Sequence, residues 1–137
     1  MSANTITPSD AADTLVFIVD DNELLGEITS QLIANAGYRT RLFHQGLPAR
    51  DAMLAGPPTP EVLVTDFDIG DINGLDLIGE VRAKLPQLRT LLVSGTAAPE
   101  ALAVHPVKPD AFLPKPFIAD TLISSVNRLA AQARGVV

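Results

Sequence analysis

Glu61-Val-Leu-Val-Thr-Asp66-Phe-Asp68-Ile-Gly70-Asp71-Ile-Asn73-Gly74 is the stretch on which the fold turns. The apolar run Val62-Leu63-Val64 ends at a carboxylate, Asp66. A loop with two more acids, Asp68 and Asp71, follows, and Asn73-Gly74 opens a helical pattern. Leu75, Ile78, Val81 and Leu85 carry that pattern until Pro86 stops it. The order reads as a buried strand, a loop and a helix. In an open parallel sheet, ligands bind outside the carboxyl ends of the strands. Asp66 stands at such an end.

Working outward, the same unit recurs on both sides. Upstream, Leu15-Val-Phe-Ile-Val19 is apolar without alternation, as in a strand buried on both faces. It stops at Asp20-Asp21, and Asn22 caps a helix with Leu24, Leu25, Ile28, Leu32 and Ile33 at helical spacing. Gly37 ends that helix. Tyr38 to Phe43 alternates, as a half-exposed strand does, and Pro48 to Ala55 is a short helix broken by Gly56-Pro57-Pro58. Downstream, Thr90 to Val93 is a further buried strand that stops at Ser94-Gly95-Thr96. Pro99 to Val104 has room for a short helix, and Ala111 to Leu113 is a last strand before Pro114-Lys115-Pro116. Leu122, Val126, Leu129, Ala130 and Ala133 stripe the final helix. Strand and helix alternate five times, which predicts an α/β, doubly wound parallel sheet of five strands with helices on both faces. Residues 1–13 are expected to form a disordered polar tail, residues 14–134 the single domain, and no output domain is expected.

Composition narrows the function. The chain has 137 residues, 47% of them hydrophobic, enough for one two-sided core. It has no cysteine, so disulfides and thiolate metal sites are excluded. Its net charge of -6 argues against nucleic acid or an anionic membrane as a partner. No apolar run approaches the roughly 18 residues of a membrane span, and the polar N-terminus has no signal pattern. A cytoplasmic location is expected.

Four strands thus end in polar groups: Asp20-Asp21, Asp66, Ser94, and Lys115 two positions past Leu113. In a parallel sheet these ends share one edge. Three carboxylates gathered there raise one another's pKa, and a hard divalent cation relieves the repulsion. An all-oxygen ligand set suits magnesium, which keeps waters and accepts a phosphate oxygen. A lysine and a hydroxyl alongside complete a site for a phosphoryl group. Taken singly, the acidic pair reads as a helix cap and Asp66 as a turn residue. The ordered set carries the inference. His44 after a strand and His105 before Pro106 read as a surface and a loop residue, with no metal-ligand partner at useful spacing.

The ordered set resembles the receiver domain of two-component response regulators. The matching residues are Asp20-Asp21, Asp66 with Gly74 eight positions on, Ser94-Gly95 after an apolar strand, and Phe112-Leu-Pro-Lys115-Pro116-Phe117. The resemblance covers roughly Leu15 to Ala133. It implies that Asp66 accepts a phosphoryl group from a sensor histidine kinase or a histidine phosphotransfer protein, so the chain would be a signalling phosphoacceptor rather than a turnover enzyme. It further implies magnesium on Asp21, Asp66 and the Asp68 backbone carbonyl, with Asp20 acting through water. Lys115 and Ser94 would bind phosphoryl oxygens, Ser94 and Phe112 would form the switch, and the Lys115-Pro116 bond would be cis. Asp68 and Thr96 would tune dephosphorylation.

The sequence departs from the usual receiver pattern in three ways. Gly70 stands where proline is frequent, Ser94 where threonine is common, and Pro99, Pro106 and Pro109 crowd the segment after Ser94. The prolines weaken the expectation of a homodimer through the fourth helix. Asp66-Phe-Asp68 also resembles the nucleophile motif of haloacid dehalogenase-like phosphatases. There the nucleophile comes on the first strand and the other acidic pair last, whereas here the pair precedes it. A receiver module excised from a hybrid histidine kinase is the other alternative.

Overall fold

The computed structural model describes residues 6–95 and 98–135. Five strands form one parallel sheet: β1 (Leu15–Val19), β2 (Arg39–Phe43), β3 (Val62–Asp66), β4 (Arg89–Ser94) and β5 (Ala111–Pro114). Their order is β2-β1-β3-β4-β5, with every pair parallel. Among the described residues, six helices connect and flank them: α1 (Pro8–Asp13), α2 (Glu23–Asn35), α3 (Gly46–Leu54), α4 (Gly74–Arg82), α5 (Ala98–Val104) and α6 (Ala119–Ala133). The expected doubly wound α/β architecture is the one found.

Strand alternation divides the core in two. Val16, Ile18, Val62 and Val64 face one layer, with Ile33 of α2 and Leu122, Val126 and Leu129 of α6. Leu15, Phe17, Val19 and Leu63 face the other, with Ala49 and Met53 of α3 and Leu75, Ile78 and Val81 of α4. Every residue of β1 is buried, as its unbroken apolar run requires, whereas edge strand β2 is half-exposed. The end of α6 differs slightly from its expected stripe, since Ala131 is buried and Ala133 only partly so.

Two expectations are corrected. Residues 1–13 do not form a tail throughout: α1 occupies Pro8–Asp13. Thr7 caps it by accepting the Asp10 N–H at 3.1 Å, and Pro8 opens it, where a missing N–H costs nothing. Ala11 is buried in the cluster that holds Tyr38. Arg134 then ties the segment down, at 3.5 Å from Asp10, 3.0 Å from Glu61 and 3.2 Å from Thr14 Oγ1. Residues 1–5 lie outside the described residues.

The second correction concerns α2. Leu24, Leu25 and Ile28 stand at helical spacing but do not form the buried stripe such spacing suggests, being 67%, 44% and 47% exposed. The buried face is Gly26, Thr29 and Ile33. Gly26 sets this rotation, because a Cβ there would stand 3.2 Å from Leu42 and 3.3 Å from Asp20. The helix lies close on the sheet along its small residues, and its larger ones point outward. α3 also starts earlier than the sequence suggested, at Gly46. Pro48 therefore falls in its first turn, where no helical donor is lost.

Candidate functional site

Each strand delivers its terminal residue to one edge, as parallel order requires. Asp66 pairs in register with Val93, so Ser94 lies one step beyond it on the next strand, beside Pro114 of β5. Ligand oxygens of Asp20, Asp21 and Asp66 all lie within 4.8 Å of one another. Lys115 Nζ donates to Asp66 Oδ2 at 2.9 Å and stands 3.7 Å from Asp20 Oδ2. The second Asp66 oxygen accepts the Phe67 N–H at 2.8 Å. Ser94 is 2% exposed, and the Lys115-Pro116 bond is cis. Asp20, Asp21, Asp66, Ser94 and Lys115 are thus brought together. Thr96 lies outside the described residues.

The electrostatics match the crowding. Burial pushes the Asp66 carboxyl above its ordinary value. Lys115 opposes that shift, and the Asp20 charge adds to it. Burial works the other way on Lys115, but the Asp66 hydrogen bond and the charges of Asp66, Asp20 and Asp21 raise it on balance. The lysine is therefore a fixed cation. Three carboxylates against one ammonium leave a net negative, all-oxygen cluster, which is the donor chemistry that fits a hard divalent cation such as magnesium.

The loop after Asp66 is built for close approach. Gly74 N–H donates to Phe67 O at 2.8 Å, and Asp68 and Asn73 form a bridge that closes the loop. Asn73 caps α4 by accepting the Asp76 N–H at 2.8 Å. Gly70 has φ +87°, a conformation that proline cannot adopt and that suits glycine. Phe112 is half-buried at the edge of the α3/α4 core, paired in register with Leu92.

Sequence reading missed two contributors. His44 is not a plain surface residue: it is half-buried, and its Nδ1–H donates to the Asp20 carbonyl at 2.9 Å. Asp71 accepts from Gly46 N and Leu47 N at 2.9 Å each. Both contacts join segments more than 20 positions apart, beyond any local spacing rule; Gln45, a poor N-cap before an otherwise uncapped helix, was the one available sign. His105 remains apart from the site, with Nε2 at 2.8 Å from Asp76 Oδ1 on α4.

A groove of ≈ 420 Å³ opens beside the acids, lined by Leu25, Ile28, Leu32, Pro116 and Phe117 and sharing Asp20 and Lys115 with them.

Residues 16–127 match the family model described as the response regulator receiver domain. The chain belongs to that family. It is 28% identical over 116 residues to the DNA-binding transcriptional regulator NtrC of Escherichia coli strain K12, an alignment covering 83% of this chain and 24% of that protein. It is equally identical over 116 residues, at 28%, to the transcriptional regulatory protein CssR of Bacillus subtilis, covering 83% of this chain and 50% of that one. The chain thus spans between a quarter and a half of the length of these relatives. A response regulator receiver protein from Sinorhizobium medicae superposes with a TM-score of 0.79 at 24% identity, covering 88% of this chain and 96% of that one, a likeness of fold. The receiver resemblance therefore holds over the phosphatase one. Among the described residues, no helix is long and apolar enough to cross a membrane.

Proposed function

We propose that this receiver domain is a phosphoacceptor in two-component or phosphorelay signalling, with Asp66 taking a phosphoryl group from a phosphohistidine. The observation that carries the reading is the juxtaposition of Asp66 with Asp20, Asp21 and Lys115 at one sheet edge. A carboxylate oxygen of Asp66 bonds to phosphorus, the phosphorus–nitrogen bond breaks, and its electron pair returns to the imidazole. The products are an acyl phosphate and a free histidine. Such a transfer needs positioning and charge neutralisation more than acid–base help.

Asp21 and Asp66 would hold magnesium with the backbone carbonyl of Asp68, and Asp20 through water. When bound, magnesium supplies positive charge beside the transferring group. Lys115 supplies the protein's own positive charge to a phosphoryl oxygen, and Ser94 donates its hydroxyl to another. Asp68 and Thr96, two positions past Asp66 and Ser94, tune the approach of water to the acyl phosphate. The domain turns over no external substrate beyond its own phosphorylation and slow dephosphorylation.

The partner side of the reading rests on the groove along α2. Its apolar residues are exposed, and it adjoins Asp66 through Asp20 and Lys115. That suits a kinase or phosphotransfer helix that seats an apolar face on α2 and presents its histidine to Asp66. Leu25→Glu with Ile28→Glu, both on the groove wall, should abolish transfer from such a partner and spare labelling by a small phosphodonor.

The direct test is intact-mass spectrometry after incubation with acetyl phosphate and magnesium. The parent should gain one phosphoryl group and Asp66→Asn none. Equal labelling of the two would reject Asp66. Magnesium should also raise the melting temperature of the parent, as any ligand of the folded state does, and Asp21→Ala should remove most of that rise.

A further inference from the structure

The loop between β3 and α4 carries Asp68, the residue whose backbone carbonyl completes the proposed magnesium set. Gly70 at φ +87° gives this loop a pivot rather than a brace. The Asp68–Asn73 bridge closes the loop on itself, and two anchors tie it to the α3 side of the core. One is Ile69, 1% exposed in the α3/α4 core. The other is Asp71, whose two carboxylate oxygens accept Gly46 N and Leu47 N, at 2.9 Å each, at the start of α3.

That helix has no cap of its own. Gln45 stands at the N-cap with extended backbone, φ -140° and ψ 151°, and makes no capping bond, and the first turn holds no acid. Asp71 therefore caps α3 from 25 residues away in sequence. The contact is tight. A Cβ on Gly46 would lie 2.4 Å from Ile72 Cγ2 and 2.7 Å from Ile69 Cδ1, so a larger residue there would push these loop side chains off the helix start. Burial pushes the Asp71 carboxyl up, but the N–H groups of Leu47, Gly46, Asp71 itself and Ile72 together bring it below its ordinary value. The ionised form is thus the one the contact favours. The same β2–α3 connection reaches the other acidic loop, where His44 donates to the Asp20 carbonyl at 2.9 Å.

We infer that Asp71 is a positioning residue for the metal and phosphoryl site, fastening the Asp68 loop to the start of α3 so that magnesium meets a preformed set of oxygens. The inference rests on the phosphoacceptor reading above. Groups that orient a metal's ligands typically change affinity by about 10- to 100-fold when removed.

The experiment is a magnesium titration of the full chain at constant ionic strength, followed by amide NMR shifts, alongside thermal unfolding without magnesium. Asp71→Ala should raise the magnesium dissociation constant by at least about tenfold. Asp71→Asn, which keeps one good acceptor oxygen, should raise it less, and this variant serves if alanine does not fold. The deciding variant combines Asp71→Ala with Gln45→Asp, which caps α3 from its own N-cap position and leaves the loop untied. It should regain thermal stability but not magnesium affinity. Recovery of both would reduce Asp71 to a helix cap and overturn the inference. So would an Asp71→Ala protein that binds magnesium as tightly as the parent. A parent with no saturable magnesium shift would overturn the phosphoacceptor reading, and this inference with it.

Discussion

Replacing Gly74 with alanine should cost about 2–4 kcal/mol of stability, while the same replacement at Gly79, in the same helix, should be nearly neutral. A Cβ at Gly74 would stand 2.4 Å from the Asp66 carbonyl oxygen, 3.2 Å from its carbon and 2.8 Å from Leu92 Cδ1. Two of those three atoms are main chain at the end of a central strand, where no rotamer change gives relief. Overpacking of this kind costs about 1–3 kcal/mol. Moving α4 away also stretches the 2.8 Å bond from Gly74 N to Phe67 O, worth about 1 kcal/mol. At Gly79 the nearest atom is Val107 Cγ2 at 3.0 Å, the end of a partly buried side chain. A mid-helix glycine-to-alanine change also gains about 1 kcal/mol of helix propensity, which offsets the squeeze. Neither glycine has positive φ, so the contrast isolates space from backbone conformation. Urea unfolding followed by far-ultraviolet circular dichroism measures both. The expected Gly74→Ala deficit corresponds to a melting-temperature drop on the order of 10 °C. Equal urea midpoints for the two variants would refute the claim that the Asp66 main chain sets the position of α4.

Three further outcomes follow from the same geometry. Burial pushes the Tyr38 phenol to about 12 from 10.0, and its hydroxyl donates to Asn127 Oδ1. A folded pKa above the unfolded one means the stability is intact below pH 10 and lost as pH climbs toward 12. Urea melts should show a fall of roughly 1–3 kcal/mol across that window, absent in Tyr38→Phe. Ser94→Ala should still accept phosphate on Asp66 but lose most of the amide shift changes along β5 near Phe112 when beryllofluoride is added. Retention of the parental pattern would remove Ser94 from the switch. Asp68→Ala should remain phosphorylatable while its acyl phosphate decays several-fold faster or slower, read by the loss of labelled protein with time. An unchanged decay would remove the Asp68 carboxylate from the dephosphorylation step.

The one-dimensional pattern was enough for the sheet and the acidic cluster. An unbroken apolar run such as Leu15–Val19 can be satisfied only between two helical layers, and parallel order then sends every strand end to one edge. Asp20, Asp21, Asp66, Ser94 and Lys115 were legible because each directly abuts, or lies just past, such a run. Helix rotation was not legible. Leu24, Leu25 and Ile28 have the spacing of a buried stripe, yet the bulk-free side at Gly26 packs closer to Leu42 and leaves them outside. Hydrophobic periodicity shows that a helix has an apolar face, but three-dimensional fit selects the face that is covered. α1 went unread for a related reason: its single buried residue, Ala11, leaves no stripe, and its tether Arg134 lies at the far end of the chain. Asp71 and His44 act on segments that only the folded sheet brings within hydrogen-bonding distance. Local composition dictates which elements form and where their ends fall, because those choices are made by a few neighbouring residues. Which side chain completes another element's cap or loop is decided by packing, because hydrogen bonds between distant segments leave no period in the sequence.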